Sequence, residues 1–420
     1  MFQFKFLLLF AFLSIQLFAQ NKLDYLAENR MDLTSNDFSF PQTDFNLIGF
    51  GAYHGSAKTY EVELNLIKAL KKQDLLDYYV IEANYSQAFY FQEYLNTGDE
   101  KLLKELTLAF STIVSQEGTI ETFNHWKNLR AIHLENPNRP ILVLGCDVVN
   151  EYKFPLKHIL SLTKDDSSWK ERENLKKAIE QDTIDFSIWN TNLNNTVKSF
   201  VKDYLLNKNK YENQISEKEI FEYIITTINY NFEEHREREK IIFDNYLVLY
   251  SLFDLADKKQ FAKYGFSHVQ KFPEDKYPSF FTRLIENKVY DRSKVITIMG
   301  YLTNSEVLWD KVYDKNGDYK SFTKKAGFGI GDYWKEYFKG IKYLKKRKLS
   351  DKTLFRLNKE YSPYAEDADL VEVKMFLKRS NKTQLKGKNT LRFIDYAVLI
   401  SNSKAQIPLE EMEKEKKESF

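Results

Sequence analysis

The residues from Phe45 to Gly55 restrict the possible folds of this chain more than any other stretch. An apolar run of strand length, Phe45 to Phe50, leads into Gly51-Ala-Tyr-His54-Gly55, and a helical pattern of apolar residues follows at once. A strand, a glycine-rich turn and a helix form the βα unit of a parallel sheet, which binds ligands at the carboxyl ends of its strands. We expect Gly51 and Gly55 to let the backbone turn sharply and His54 to project from the turn. The alternative is a histidine that caps a turn or fills a loop.

Further apolar runs have the length and composition of strands: Asp77 to Asn84, Pro140 to Asp147, Gln260 to Val269 and Lys294 to Gly300, with closing strands at Asp369 to Met375 and Arg392 to Ile400. Helical periodicity separates these runs, and a helix is also expected from Tyr333 to Tyr343. Residues 154–256 contain no strand signal but a succession of helices rich in Lys and Glu. The sequence therefore predicts an α/β fold. It is a mainly parallel central sheet flanked by helices, with a large helical insertion, a lid, before the fourth strand.

The first twenty residues predict export. Lys5 precedes an apolar run that begins at Phe6, and Ala19 offers a small residue for cleavage before Gln20 or Asn21. A spanning helix would need about 20 apolar residues, and this run is shorter. We expect a cleaved signal peptide over residues 1–20, a periplasmic or secreted mature chain, and no integral membrane segment after cleavage.

One elaborated domain is favoured over two separable ones, because the chain has no internal repeat and no linker rich in Pro or Gly. After the signal we expect the N-terminal part of the α/β domain (21–153), the helical insertion (154–256), the C-terminal part (257–408) and a charged tail (409–420). A formal net charge of +2, without a basic run interleaved with aromatics, argues against nucleic acid as a partner. Cys146 is the only cysteine, so the fold is held without an intramolecular disulfide.

Ionisable side chains stand where the predicted strands end. His54, Glu82, Asp147 and His268 occupy these positions, and each histidine follows a glycine by three residues. Because the carboxyl ends of parallel strands meet at one edge of a sheet, we expect these side chains to converge in one cleft. Two imidazoles and a carboxylate are a ligand set for a first-row transition metal, or equally a histidine base that a carboxylate orients. The alternatives are chance placement at strand ends and, for Asp147, a cap on the next segment.

Other catalytic patterns are absent from the sequence. It contains no Gly-x-Ser-x-Gly elbow, no His-Glu-x-x-His and no P-loop pattern. Cys146 follows an apolar strand, a position that favours a buried packing residue over a nucleophile. The residues at the strand ends are therefore the leading candidates for chemistry.

These residues resemble the superfamily of erythromycin esterase-like, ChaN-like and TraB/Tiki proteins, in order over roughly Phe45 to Gly300. The positions that match the erythromycin esterase-like pattern are His54-Gly55, Glu82-Ala83, Trp126, Gly145-Cys146-Asp147, Arg238 with Asn245, and His268-Val269. The chain departs from that pattern where Phe50-Gly51 replaces Gly-Glu, where Gly265 replaces a histidine and where Glu63 replaces a basic residue. The paired Gly-x-x-His with one Glu is similar to the TraB/Tiki pattern, whose members are regarded as metal-dependent proteases.

The resemblance implies a hydrolase that cleaves an ester or peptide bond in a small-molecule or peptide substrate. It assigns catalysis to His54, Glu82 and His268, and substrate binding to Tyr53, Asp147 and Arg238. In a metal-dependent version His54, Glu82 and His268 bind one divalent ion that activates water. In a metal-free version His54 is the general base, Glu82 orients it and His268 polarises the substrate. The alternative function is a non-catalytic member with a degenerate site that binds haem, iron or another small ligand.

Overall fold

The computed structural model describes residues 22–112, 114–181, 184–234, 236–274, 276–325, 331–378 and 380–418. The predicted signal peptide, residues 1–20, lies outside them. The described chain divides into two compact units. The first contains the residues up to Leu75 together with Phe261–Ile407, and the second contains Leu76–Gln260 together with the residues from Pro408. In these ranges no helix is both long enough and apolar enough to cross a bilayer.

The strands are β1 (Arg30–Asp32), β2 (Leu47–Ala52), β3 (Tyr78–Ile81), β4 (Leu142–Gly145), β5 (Gln260–Gly265), β6 (Val295–Thr303), β7 (Val307–Tyr313), β8 (Tyr319–Lys325), β9 (Asp332–Tyr333), β10 (Glu336–Phe338), β11 (Lys352–Arg356), β12 (Val373–Met375) and β13 (Tyr396–Ser401). The α-helices are α1 (residues 22–28), α2 (Ala57–Lys72), α3 (Tyr85–Thr97), α4 (Glu100–Phe110), α5 (Ile120–Glu135), α6 (Lys153–Ser161), α7 (Lys170–Ile179), α8 (Thr191–Leu206), α9 (Lys208–Tyr211), α10 (Lys218–Asn229), α11 (Arg238–Leu252), α12 (Phe280–Glu286), α13 (Ile341–Arg347) and α14 (Leu409–Glu418).

The first unit is built on a mixed sheet in which six strands lie in the order β1-β11-β13-β6-β2-β5. β13, β6 and β2 are parallel, whereas β11 runs antiparallel to β13 and β1 antiparallel to β11. Every residue of β2, β6 and β13 is buried. Continuous burial is what parallel strands covered on both faces require, and it explains why these strands are nearly unbroken apolar runs in the sequence.

Two small sheets of the first unit complete its C-terminal half. β7 and β8 form an antiparallel hairpin around a turn at Gly317, where φ is +87° and a glycine fits without strain. β12, β10 and β9 form an antiparallel three-stranded sheet. The helix predicted from Tyr333 to Tyr343 is therefore wrong over its first half. The chain passes through β9 and β10, and a helix begins only after Gly340, whose φ is +84°.

The second unit contains the parallel pair β3 and β4 and most of the helices. Its helical part has its own apolar core, in which the Trp169 ring stacks on Tyr211 at 4.0 Å and on Phe200 at 5.2 Å between ring centroids. The Lys and Glu residues that the sequence places on these helices leave one face apolar, and burial of that face stabilises the unit.

The predicted α/β class, with a mostly parallel sheet flanked by helices, is confirmed. Residues 154–256 contain helices α6 to α11, which loops and short 3-10 turns connect. Their role as a lid and the division of the chain into the predicted segments stay predictions. The predicted charged tail is helical over Leu409–Glu418.

Candidate functional site

His54 lies directly after β2. The strand ends at Ala52, and Tyr53 and His54 follow, both half-buried. Gly55 has φ +87°, a conformation that costs an L-residue free energy and that glycine adopts freely. α2 begins directly after this turn, with Ser56 as its N-cap. The left-handed conformation of Gly55 therefore sets the direction of the backbone between His54 and α2.

Gly51 has a different role from the turn residue that the sequence suggested. It lies inside β2, and a Cβ there would lie 2.5 Å from Cγ2 of Val269. At Gly49 a Cβ would lie 2.5 Å from the Phe281 ring. Real Cβ atoms do not approach other atoms so closely, so both glycines allow the segment after β5 to pack directly on β2. This close packing brings the loop that carries His268 to the strand that carries His54.

His268 lies in a turn that begins at Gly265, the last residue of β5. Its N–H donates a hydrogen bond of 3.2 Å to the carbonyl of Gly265, and its own carbonyl accepts one of 3.2 Å from the N–H of Phe281. A Cβ at position 265 would lie 3.1 Å from Nε2 of His54 and 3.7 Å from Nε2 of His268. The two imidazoles therefore border one space, and glycine at position 265 keeps that space open.

Tyr53 lies against the same segment. Its ring stacks on Phe266 with 5.1 Å between centroids and 25° between planes. Burial, helped by the charges of Glu336 and Glu274, raises the pKa of Tyr53 to about 12. The hydroxyl therefore keeps its proton at neutral pH and is available as a hydrogen-bond donor.

The second unit contains an ion cluster formed by Glu82, Asp147 and Arg238. Glu82 follows β3, Asp147 lies two residues beyond β4, and Arg238 is the first residue of α11. Nε of Arg238 donates to Oδ1 of Asp147 at 2.9 Å, and its NH2 group donates to Oδ2 of Asp147 at 2.5 Å and to Oε1 of Glu82 at 2.8 Å. The guanidinium thus forms a bidentate ion pair with Asp147.

The three members of this cluster differ in how far they are buried. Glu82 is 4% and Asp147 1% exposed, whereas the Arg238 side chain is 36% exposed. Burial alone would lower the pKa of Arg238, but the charges of Asp147 and Glu82 and their hydrogen bonds to the guanidinium outweigh it, so that the pKa is raised. The cluster thus presents a permanently charged and firmly oriented guanidinium, backed by two buried carboxylates.

Two local features hold the loops of the cluster together. A Cβ on Gly145 would lie 2.4 Å from the carbonyl oxygen of Ala83, so only glycine lets the two strand ends come this close. The N–H of Asp147 then donates to the same carbonyl at 3.0 Å. Nδ2 of Asn245, two helical turns after Arg238, donates to the carbonyl of Cys146 at 3.0 Å. One face of α11 therefore fixes the loop after β4 at two points.

The second unit also contains a cavity of about 540 Å³ beside the loop that follows β4. Its apolar lining includes Leu108, Phe186, Ile188 and Trp189, and Trp189 is 85% exposed. The indole of Trp189 therefore adds exposed apolar surface to the cavity wall.

The charged lining of the cavity includes Glu151 and Arg236. Oε2 of Glu151 accepts from the N–H of Lys153 at 2.7 Å, and Oε1 accepts from Nε2 of Gln87 at 3.2 Å. Burial nevertheless dominates and raises the pKa of Glu151 to about 7. Arg236 forms no hydrogen bond or ion pair within the ranges that the structure describes. Neither residue was predicted from the sequence, although Glu151 follows the third strand and Arg236 lies two positions before Arg238.

The structure brings the six predicted site residues together in two groups. Tyr53, His54 and His268 lie in the first unit, and Glu82, Asp147 and Arg238 lie in the second. Across the described part of the chain, no set of three His, Cys, Asp or Glu side chains is arranged to hold a metal ion. Glu82 also fits poorly as a metal ligand, because the guanidinium 2.8 Å from its Oε1 would repel a cation.

Comparison with known proteins gives the fold. No family model and no curated protein matches the chain. The chain is similar to a solved Bacillus cereus protein (structural genomics target BcR135), with TM-score 0.63 and 13% identity over 93% of this chain and 99% of that one. It is similar to a succinoglycan biosynthesis protein, with TM-score 0.62 and 13% identity over 92% and 98% of the two chains. It is also similar to a mutant of the erythromycin esterase EreC in its open conformation, with TM-score 0.57 and 13% identity over 87% and 92%.

Proposed function

We propose that this chain, which has the fold of erythromycin esterase, is a hydrolase that cleaves a carboxylic ester in a small molecule. The observation that supports this most strongly is the pair of histidines beside Gly265, whose Nε2 atoms lie 3.1 and 3.7 Å from one point. Ester hydrolysis needs a base to take a proton from water and a donor to the carbonyl oxygen, and two adjacent imidazoles can supply both.

The proposed reaction forms no covalent bond between the enzyme and the substrate. His54 takes a proton from water while the water oxygen attacks the carbonyl carbon. His268 donates a hydrogen bond to the carbonyl oxygen, which becomes negative in the tetrahedral intermediate. The bond between carbon and the alkoxy oxygen then breaks, and His54 returns its proton to the leaving alkoxide. The products are a carboxylic acid and an alcohol, and His54 is again neutral.

The remaining candidates serve substrate binding. Tyr53 supplies a protonated hydroxyl as a donor, in agreement with its raised pKa. Arg238, held by Glu82 and Asp147 and 36% exposed, supplies a fixed cation for an oxygen of the substrate. The orienting role of Glu82 toward His54 stays a prediction of the sequence pattern.

The cavity of the second unit is proposed as a separate site for a small ligand. A volume of about 540 Å³ is within the range of small-molecule sites. Its apolar walls and the exposed ring of Trp189 favour a bulky and largely apolar group, and Arg236 favours a negative or oxygen-rich substituent on that group.

Metal-free chemistry is the version that we propose. The residues that would complete a metal site include Glu82, whose oxygen accepts from a guanidinium at 2.8 Å. A divalent ion would have to displace that interaction or share the oxygen with a like charge. Metal analysis of protein purified without chelator, together with turnover in EDTA, tests this part. A stoichiometric metal that is needed for turnover would contradict it.

The proposal is tested by a screen of esters, lactones and peptides with the mature chain. We expect hydrolysis of at least one ester and none of the peptides. His54→Ala should abolish turnover and leave the unfolding midpoint unchanged, since the imidazole is only half-buried. Absence of turnover across the panel, with tight binding of haem or iron that His54→Ala removes, would favour the non-catalytic alternative.

Export is part of the same proposal. The charged start and apolar run of residues 1–20 have the features of a cleaved signal. N-terminal sequencing of the protein from the periplasm or medium should begin at Gln20 or Asn21. A cytosolic protein that keeps Met1 would contradict export without affecting the proposed chemistry.

A further inference from the structure

The first unit exposes three large apolar side chains that we call the apolar tip: Trp334, Phe376 and Leu377. Trp334 lies between β9 and β10, and Phe376 and Leu377 follow β12 in the same three-stranded sheet. Their exposed fractions are 62%, 56% and 89%, and the rings of Trp334 and Phe376 lie 5.5 Å apart. Single exposed apolar residues are ordinary, but a group of three large ones in one place calls for an explanation.

The backbone of the tip adds a second cost. Leu377 has φ +57°, a conformation that is unfavourable for a residue with a branched side chain and that glycine adopts freely. The chain therefore holds a leucine in a strained turn and in water at once. Neither the packing nor the stability of the unit benefits, because the side chain is almost wholly exposed. Such a combination points to a role outside the folded chain.

The charge around the tip indicates the chemistry of its partner. From Val373 to Thr390 the sequence contains six basic residues and no acidic one. Lys378, Lys382 and Lys386 are exposed, and Nζ of Lys335 lies 4.8 Å from the centre of the Trp334 ring. Tryptophan, phenylalanine and leucine surrounded by lysines are typical of surfaces that insert into the interface of an anionic bilayer.

We propose that the apolar tip and its lysines form a peripheral contact with the surface of an anionic lipid bilayer. Leu377 and Phe376 enter the boundary between headgroups and acyl chains, and Trp334 lies at headgroup level. The lysines bind the phosphate groups of anionic lipids. The tip consists of three side chains on two neighbouring turns rather than a broad face. A surface of that size suits insertion between lipids, whereas a stable protein–protein interface needs a larger area. This contact is independent of the proposed hydrolysis.

Co-sedimentation of the mature chain with vesicles tests the proposal. We expect binding to vesicles of phosphatidylcholine and phosphatidylglycerol at 3:1, much weaker binding to phosphatidylcholine alone, and loss of binding in 0.5 M salt. Leu377→Gly should weaken binding about tenfold, because it removes a side chain that is buried only in the bilayer. The same variant should unfold at an unchanged or higher urea concentration, because glycine relieves the strained φ. Opposite effects on binding and stability separate this role from a structural one.

Tyr361→Gly is a matched control. Tyr361 is 91% exposed and has φ +59°, and the sequence around it is acidic, with Glu360, Glu366 and Asp367. It should gain stability as Leu377→Gly does and keep wild-type binding to vesicles. No binding to anionic vesicles, or binding that Leu377→Gly leaves unchanged, would overturn the proposal. Self-association in sedimentation equilibrium that Leu377→Gly abolishes would overturn it in favour of a second copy of the chain.

Discussion

Removal of Arg238 should destabilise the chain in a way that depends on pH. In the wild-type chain the guanidinium donates three hydrogen bonds to Glu82 and Asp147, which are 4% and 1% exposed. Arg238→Ala leaves both carboxylates buried without that cation. The loss of one partner from a buried ion pair costs about 3–5 kcal/mol. Because the Arg238 side chain is 36% exposed, water reaches the cluster, and we expect about 2–3 kcal/mol.

The sign of the pH dependence follows from the charge left behind. At neutral pH the variant must bury two ionised carboxylates, whereas at low pH it buries neutral carboxyl groups. The difference in the free energy of unfolding between wild type and Arg238→Ala should therefore be largest near pH 7 and should shrink as the pH falls toward 4. Adding Asp147→Asn to the variant should recover part of the loss at pH 7, because one of the two charges is then absent.

Urea unfolding followed by far-UV circular dichroism at pH 7 and pH 4.5 measures these differences. Arg236→Ala is the matched control, since Arg236 lies two residues away and forms no ion pair in the described ranges. It should change the free energy of unfolding by less than about 0.5 kcal/mol. Equal stability of Arg238→Ala and Arg236→Ala at pH 7, or a difference that grows on acidification, would refute the electrostatic account of the cluster.

Three further variants test the packing and the cavity. Gly265→Ala should lower kcat/KM about 100-fold at an unchanged melting temperature, because its methyl would lie 3.1 Å from Nε2 of His54. Gly51→Ala should cost about 1–3 kcal/mol in urea unfolding, and adding Val269→Ala should recover part of that cost, since the clash is with Cγ2 of Val269. Burial raises the pKa of Glu151 to about 7, so the native state binds this proton more tightly than the unfolded state does. The free energy of unfolding should therefore fall as the pH rises from about 4.5 to 7. Glu151→Gln should remove this pH dependence.

The strands were predictable because buried parallel strands need continuous apolar runs. β2, β6 and β13 are such runs, and each was placed within a few residues of its observed bounds. The boundary between β10 and α13 was not predicted. The apolar residues from Tyr333 to Tyr343 have a spacing that fits one helix, but the same spacing also fits two short strands followed by a helix. Lys339 and Gly340 separate the two elements, and the left-handed conformation of Gly340 cannot be read from the hydrophobic pattern.

The candidate site was predictable residue by residue but not in its contacts. The positions of His54, Glu82, Asp147 and His268 follow from where the strands end. The ion pair between Arg238 and Glu82 joins residues 156 positions apart. Such a contact cannot be predicted from the local spacing of residues. The same holds for Gly51. A side chain at this position would clash with Val269, which lies on a segment distant in sequence.

The coupling of the two groups of site residues is open to a separate test. If Glu82 orients His54, then Glu82→Gln and His54→Gln should each reduce kcat/KM, and the double variant should be no worse than the more damaged single one. Reductions that multiply in the double variant would show that the two residues act independently.

The most direct test of the central claim is the pH profile of kcat/KM for wild type and His54→Gln on the first ester that the chain hydrolyses. Hydrolysis by a neutral imidazole base predicts that acidification, which protonates the base, lowers wild-type kcat/KM. His54→Gln should then lose about 100-fold to 10,000-fold in kcat/KM together with that pH dependence, at an unchanged free energy of unfolding. A folded His54→Gln chain that keeps wild-type kcat/KM and the wild-type profile would contradict the assignment of His54 as the base.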